Sequence, residues 1–324
     1  MASPATTPPA NRVPVGIVAN IKVPATSANL GPGFDSAGIA VGLYDELQIR
    51  TTETGFSATI DGEGHNYLPT DARHLIITQI RMRLDQLGWH LPGLELQATN
   101  RIPHSRGLGS SAAAHIAAAL AVKALLPQDC DIANDDLFQW ASEAEGHPDN
   151  VAPAVFGGLT FSWNEPDDHG NRYRSLQLLP HPEVTPVVAI PSKPLSTAAA
   201  RTLLPASVPH TEAVANASRA ALLAPAMTTN PELLLAATED WLHQKYRQPS
   251  MPETLRHIVS MREDGHAAVV SGAGPTLCVF AKDRAEADVV ADKLTQRAAK
   301  SEQHWDVRIL PVATQGATME VFRP

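Results

Sequence analysis

The chain has 324 residues, 44% of them hydrophobic, with a formal net charge of −9 and a sequence pI near 5.8. That length exceeds what one core usually serves, so one large or two modest domains are expected. The acidic balance disfavours nucleic acid or an anionic membrane as the main partner, since both ask for a basic face.

Cys130 and Cys278 are too few and too unpatterned for a disulfide framework or a zinc site, which fits a reducing compartment. No apolar run approaches the length of a bilayer span, so a cytoplasmic protein is expected. Residues 1–16, rich in Pro, Ala and Thr, lack the basic start and long apolar stretch of a signal peptide and read as a disordered tail.

In chain order, the first informative segment is Val23-Pro24-Ala25-Thr26-Ser27-Ala28-Asn29-Leu30-Gly31-Pro32-Gly33-Phe34-Asp35, a strand end followed by hydroxyls, an amide and a carboxylate around a Gly-Pro-Gly turn. Residues 44–52 and 56–60 read as strands. Leu75, Ile76, Ile80, Leu84 and Leu87 recur at helical spacing, predicting a helix over 71–87 with Gly88 at its end. A strand at 94–99 precedes an alanine-rich helix over 111–126, free of Gly and Pro until Pro127. A shorter helix is expected at 135–145, a strand at 159–163, and a polar, turn-rich linker at 164–173. Beyond it come a strand at 187–190 and helices at 211–223 and 231–246. Ser271-Gly272-Ala273-Gly274-Pro275-Thr276 then joins the apolar runs 267–270 and 277–280 as a hairpin would. Asp283 with Glu286 forms a capping box for a further helix, and a strand follows at 307–312. Mixed order of this kind is α+β.

The stretch Pro103-His104-Ser105-Arg106-Gly107-Leu108-Gly109-Ser110-Ser111-Ala112-Ala113 sets two glycines and two hydroxyls before the alanine helix. A helix start leaves backbone N–H groups unpaired and carries partial positive charge, and glycine lets an anion come close, so a polyphosphate would fit. The Walker pattern needs Lys-Ser/Thr after its last glycine and is not met. The dinucleotide fingerprint is met formally by Gly107-x-Gly109-x-x-Ala112. It requires a strand running straight into the first glycine, whereas residues 100–106, with a proline, intervene. A tight turn opening a buried helix stays the alternative.

Taken together, the loop, the Gly-Pro-Gly segment and the 271–276 hairpin resemble the three signature motifs of the GHMP kinase superfamily. A fourth segment, Glu145-Gly146-His147-Pro148-Asp149-Asn150-Val151-Ala152-Pro153-Ala154, is similar to the branch that phosphorylates the amino acid L-homoserine. The resemblance covers residues 18–324. It implies a two-domain α+β fold: a tail at 1–16, an N-terminal ATP-binding domain at 17–168 of ribosomal S5 domain 2-like type, and a ferredoxin-like C-terminal domain at 169–324, with the active site between them.

It further implies ATP and L-homoserine as substrates, Mg²⁺ as cofactor, and a homodimer as an unsurprising assembly. ATP would lie on residues 103–113 with Gly272 and Gly274. Ser111 and a carboxylate from the helix before His147 would hold Mg²⁺. Some members carry that carboxylate eight residues before the motif histidine, where this chain has Gln139, so Glu143 is favoured, with Glu145 as the other choice. Asn29, Asp35, His147, Thr197, Arg201 and Arg247 would receive the amino acid: Asp35 its ammonium, the two arginines its carboxylate. Asn29, His147 and Asn150 would stand beside the reacting hydroxyl and phosphate. Asp149 is read as structural or orienting, because an ordinary carboxylate is a weak base for an alcohol. His115 is read as a packing or solvent residue. Another alcohol as acceptor, or a non-catalytic ligand sensor, are the rival readings.

Overall fold

The structure, a computed structural model, describes residues 11–167 and 170–324. The first half comprises β1 (Asn11–Arg12), β2 (Val18–Ala28), β3 (Ala37–Thr51), β4 (Gly55–Gly62), α1 (Leu75–Gln86), β5 (Trp89–His90) and β6 (Gly93–Asn100). Helices α2 (Ser110–Leu125), α3 (Asn134–Glu145) and α4 (Val151–Phe156) follow, then the paired strands β7 (Leu159–Asp167) and β8 (Gly170–Leu178). The second half holds β9 (Thr185–Pro191), α5 (Thr197–Arg201), α6 (His210–Thr228), α7 (Leu234–Ala237) and α8 (Pro252–Glu263). It closes with β10 (Ala268–Val270), β11 (Leu277–Ala281), α9 (Arg284–Ala298), β12 (Trp305–Ile309) and β13 (Thr318–Phe322).

Two sheets organise these elements. The larger runs β13-β2-β3-β6-β4, with β7 paired to the start of β3 and β8 beyond it. Helix α2 lies against it: its alanines are buried around most of the circumference, and their small side chains let α1, α3 and β2 approach closely. The smaller sheet, β10-β11-β9-β12, is antiparallel throughout, with α8 and α9 packed on it. Its chain order and strand order are those of a ferredoxin-like βαββαβ unit. Among the described residues, no helix is long and apolar enough to cross a membrane.

Several expectations change. Residues 1–10 lie outside the described residues, but 11–16 are not a tail: β1 pairs parallel with β5, and Val13 is fully buried. The expected linker at 164–173 is the distal part of the β7–β8 ladder, which pairs from Leu159↔Leu178 to Asp167↔Gly170, on either side of the 168/169 boundary. Strand β13 returns from the other end of the chain to β2, so the larger sheet is not made from the first half alone. Helix α1 begins at Leu75, four residues late, because Asp71 turns the chain first by accepting the Arg73 N–H at 2.9 Å. The last expected strand, 307–312, is β12 two residues earlier. At α9, Asp283 accepts the Glu286 N–H at 2.8 Å, but the Glu286 carboxylate reaches Lys282 N, so only half of the capping box forms.

The largest change is at 231–246. Instead of one helix there is a 3₁₀ turn (Pro231–Leu233), the single turn of α7, and a second 3₁₀ turn at Lys245–Arg247. The fully buried Asp240 carboxylate accepts the N–H groups of Leu242 (3.0 Å), His243 (3.1 Å) and Gln244 (2.7 Å). A short acidic side chain offering the backbone such bonds outcompetes the helix. The chain therefore coils back and aims Arg247 inward, where it is 1% exposed. Asp240→Ala should leave these N–H groups unpaired and lower stability by about 1–3 kcal/mol, read as a lower urea midpoint at unchanged slope. Asp240→Asn, which keeps an acceptor, should lose less.

Candidate active site

Three segments distant in sequence are stapled into one cleft of about 120 Å³. Thr26 N donates to Leu108 O at 3.1 Å, Thr276 N to Arg106 O at 3.2 Å, and Gly272 N to Ala28 O at 3.0 Å. Ser271 Oγ donates to Gly107 O at 2.6 Å and lies 2.9 Å from Ser27 Oγ. Arg106 donates to the carbonyls of His104 (2.7 Å), Pro191 (2.8 Å) and Ser192, tying the loop to the smaller sheet.

The loop glycines answer to this stapling. Gly107 and Gly109 have φ of 76° and 72°, a left-handed region disfavoured for other residues. A Cβ on Gly107 would stand 2.2 Å from Ser271 O, and one on Gly109 2.0 Å from Thr26 Oγ1. Their first task is close packing of protein on protein. Gly109 leads directly into α2, whose start has no side-chain cap, leaving its first N–H groups for an anion.

Pro103, Ser105, Arg106, Gly107, Leu108, Gly109, Ser110 and Ser111 line the cleft, as does Gly272. His104 and Ala113 instead line a neighbouring cavity, and Ala112 is buried in the core. Gly274 does not line the cleft either: the space a Cβ would take there is filled by Met251, 2.6 Å away, so its place in the nucleotide set is corrected to a packing position.

On the facing wall stand Asn29, Asp35, His147, Asn150, Thr197, Arg201 and Arg247. Asn29, at φ 69°, donates through Nδ2 to Gly272 O at 2.8 Å and accepts the Asp35 N–H at 2.9 Å. Asn150 Oδ1 accepts Thr26 Oγ1–H at 2.9 Å. Asp35 and Arg201, expected to take opposite ends of a ligand, are paired with each other in a fork of 3.0 and 2.6 Å. Both guanidiniums stack near one ring, with Arg201 and Arg247 Cζ each 5.6 Å from the Phe34 centroid. Arg247 donates through Nη1 to Gly272 O at 2.9 Å, while its buried Nε has no partner among the described residues. Burial, with the charge of Arg201, pushes its guanidinium down to about 10.

The carboxylate beside Ser111 is Glu145, not Glu143. Ser111 Oγ donates to Glu145 Oε2 at 2.7 Å, and both line the cleft. Glu143 is 52% exposed, outside the cleft, accepting Gln139 Nε2 at 2.9 Å with Arg83 3.9 Å away. Two residues along a helix are about 200° apart, so the choice between the two acids is a choice of face. Gln139 also accepts the Tyr173 N–H at 2.9 Å, binding α3 to β8. Glu145 collects imidazoles as well: His115 Nε2 is 3.7 Å from Oε2, and His147 Nε2 3.9 Å from Oε1. His115 is thus partly a neighbour of the cleft; burial, opposed by Glu145, holds it below its usual value.

Asp149, 2% exposed, receives His147 Nδ1 at 2.6 Å and Asn150 N at 2.9 Å on Oδ1, which fits an orienting carboxylate. For His147, burial works against charge, but the Asp149 hydrogen bond and the charges of Asp149 and Glu145 outweigh it and hold the imidazole above 6.5. Among the described residues no group of three His, Cys, Asp or Glu could cage a metal. Two adjacent hard oxygens, from Ser111 and Glu145, suit an ion that takes its other ligands from phosphate and water.

A second cavity of about 310 Å³ shares Ser105, Ser110 and Ser111 with the cleft. Asp45, Tyr67, His74 and Asn100 in its wall were not anticipated from sequence. The one local signal was a histidine where a helix cap of Ser, Thr, Asp or Asn belongs.

A helix start and glycine loop thus face a wall that carries the Asp35–Arg201 pair and Arg247. The sequence matches the GHMP kinases N terminal domain at residues 74–158 and the GHMP kinases C terminal domain at 213–300. The homoserine kinase of Streptomyces avermitilis is 48% identical over 297 residues, 90% of this chain and 96% of the relative. That of Mycobacterium tuberculosis is 46% identical over 84% of this chain and 86% of its own length. The fold matches a crystal structure of homoserine kinase from Cytophaga hutchinsonii with a TM-score of 0.81 at 24% identity, over 99% of this chain and 100% of that one. Mevalonate kinase from L. major, in complex with R-mevalonate, matches at 0.61 and 16% identity, over 94% and 98% of the two chains. The chain belongs to the homoserine kinase family of the GHMP kinases.

Because His147 is raised in the fold, its contribution to stability is complete below pH 6.5 and is lost as pH rises through the folded value. In Asp149→Asn the hydrogen bond to a charged partner is gone, and the His147 titration followed by NMR should move downward. An unchanged titration would show that Asp149 does not set this imidazole.

Proposed function

We propose that the chain transfers the γ-phosphoryl group of ATP to the side-chain hydroxyl of L-homoserine, giving O-phospho-L-homoserine and ADP, a step of threonine biosynthesis. The observation that carries this reading is Arg247: a buried guanidinium with an unspent Nε, beside the Asp35–Arg201 pair and across the cleft from the start of α2. A zwitterionic amino acid satisfies all three charges, its ammonium on Asp35 and its carboxylate on the two arginines. An alcohol without those groups leaves Arg247 as it is. Gln139, whose lack of charge had favoured a non-catalytic sensor, stands outside the cleft, and Glu145 supplies the missing carboxylate.

The polyphosphate lies on the free N–H groups of α2 and the backbone of 105–109. Ser111 Oγ and Glu145 would hold Mg²⁺, which would supply charge neutralisation for the phosphate oxygens. The protein's own part is positioning and charge. Asn29 and Asn150 bracket the acceptor, and His147, carrying a proton more readily than a free imidazole, offers an N–H toward the developing charge. The homoserine oxygen bonds to the γ-phosphorus while the bond to the bridging oxygen of ADP breaks and leaves its electron pair there. In a loose transition state the hydroxyl proton passes to the departing phosphoryl group, so no side chain need act as base.

Ser111→Ala should lower turnover by about a hundredfold or more, a loss of about 2.7–4 kcal/mol in the barrier, with folding intact. Glu145→Gln should fall similarly while Glu143→Gln keeps magnesium-dependent activity, both read by ADP release. Mevalonate and a sugar, offered in the same assay, should give no ADP.

Removing Arg201 or Arg247 should cost about 2–5 kcal/mol in kcat/KM for homoserine with ATP affinity nearly unchanged. Because both serve one carboxylate, the double change should be non-additive by about 0.5–3 kcal/mol. Full homoserine phosphorylation by the double variant would overturn the choice of acceptor.

A further inference from the structure

The turn that brings Asn29 and Asp35 to the cleft holds three non-glycine residues in the left-handed region: Asn29, Leu30 and Asp35, with φ of 69°, 47° and 54°. Asn and Asp tolerate that region, but a leucine rarely enters it, and such residues persist only where their surroundings fix them. The fixing comes from the second half of the chain. Asn216 Nδ2 donates to Pro32 O at 2.9 Å, a Cβ on Gly31 would stand 2.3 Å from Thr238 O, and His243 Nε2 lies 2.9 Å from Gly31 O.

His243 is the unusual brace. It is fully buried, and among the described residues its Nδ1 has no hydrogen-bond partner. A half-paired imidazole fills a core poorly, since an aliphatic side chain would leave none of its own atoms unsatisfied. What the imidazole adds is Nε2. A carbonyl oxygen only accepts, so the proton sits on Nε2 and is donated to Gly31. Burial, opposed by Asp240 and reinforced by Arg247, holds the ring below its usual value and therefore neutral. The same ring lies against Phe34, with centroids 5.1 Å apart and planes at 32°, and Phe34 has the guanidiniums of Arg201 and Arg247 at 5.6 Å. The Asp240 turn thus delivers two side chains, Arg247 to Gly272 O and His243 to Gly31 O.

We propose that His243 is a positioning residue for the acceptor site: its bond to Gly31 O and its contact with Phe34 set the place of Asp35 and of both guanidiniums. The inference rests on the acceptor reading above and adds a residue that touches no substrate. Among the described residues no hydrogen bond joins residues 30–35 to the 103–113 loop, so the effect belongs to the amino acid and not to ATP.

The test uses the whole chain, with ADP release followed while homoserine and ATP are varied separately. His243→Leu removes the donor to Gly31 O, and its KM for homoserine should rise about tenfold or more, with the KM for ATP within about twofold of the parent. His243→Gln keeps an N–H donor of similar reach and should bring the homoserine KM back to within about threefold. A residue that merely fills the core would lower the melting temperature and move neither KM. Equal rises for both substrates, no rise for homoserine, or a Gln variant as weak as Leu would each overturn the proposal. Should His243→Leu not fold, NMR of the unaltered protein with isotope-labelled histidine decides, the His243 signals being assigned by their loss in His243→Gln. Homoserine should shift them and a non-hydrolysable ATP analogue should not, with the proton on Nε2 throughout. A proton on Nδ1, no response to homoserine, or an equal response to both ligands overturns the proposal as well. Failure of the kinase reading shows separately, as no ADP release with homoserine from the unaltered protein.

Discussion

One carbonyl holds the site together. Gly272 O, at the turn between β10 and β11, accepts Asn29 Nδ2 at 2.8 Å and Arg247 Nη1 at 2.9 Å. Through it the first motif, the hairpin and the guanidinium that ends the Asp240 turn share a single point. The backbone of the same hairpin is bonded to Ala28 O and Arg106 O, so the 103–113 loop cannot shift without moving the wall that carries Asn29 and Arg247. Positioning of this kind, in which donor and acceptor sites are built on mutually braced elements, is what phosphoryl transfer chiefly asks of a protein.

The charges are arranged under the same constraint. Arg201 and Arg247 face one Phe34 ring, whose π-face favours both cations, and His243 packs against that ring with centroids 5.1 Å apart. Asp35 neutralises Arg201 in a two-bond fork, whereas Arg247 has, among the described residues, the Gly272 carbonyl and the Phe34 ring but no carboxylate within hydrogen-bond reach. Burying a charge with so little compensation costs stability, and is understandable where a ligand carboxylate supplies the missing partner.

A chain of short contacts joins His147 to the frame. Asp149 orients His147 and the Asn150 backbone, and Asn150 in turn receives the Thr26 hydroxyl that packs beneath Gly109. Glu145, at the last turn of α3, meets Ser111 at the first turn of α2. The two helices pack together over the larger sheet, so the pair of oxygens suited to a divalent ion follows from helix packing.

The sequence alone determined the elements whose signals are local. The alanine run and Pro127 set α2, the glycines and hydroxyls before it marked an anion site, and four motifs in order carried the resemblance that named Asn29, Asp35, His147, Arg201 and Arg247, all of which line one cleft. Helical spacing could not say which of two acids turns toward Ser111, because that depends on the rotation of α3 against α2. Nor could apolar periodicity foresee that Asp240 would break a helix, that β13 would return to β2, or that Gly274 faces Met251. The pairing of Asp35 with Arg201 joins residues 166 positions apart, and the bond of His243 to Gly31 joins residues 212 apart. Such features arise from packing between distant segments, and only the tertiary structure decided them.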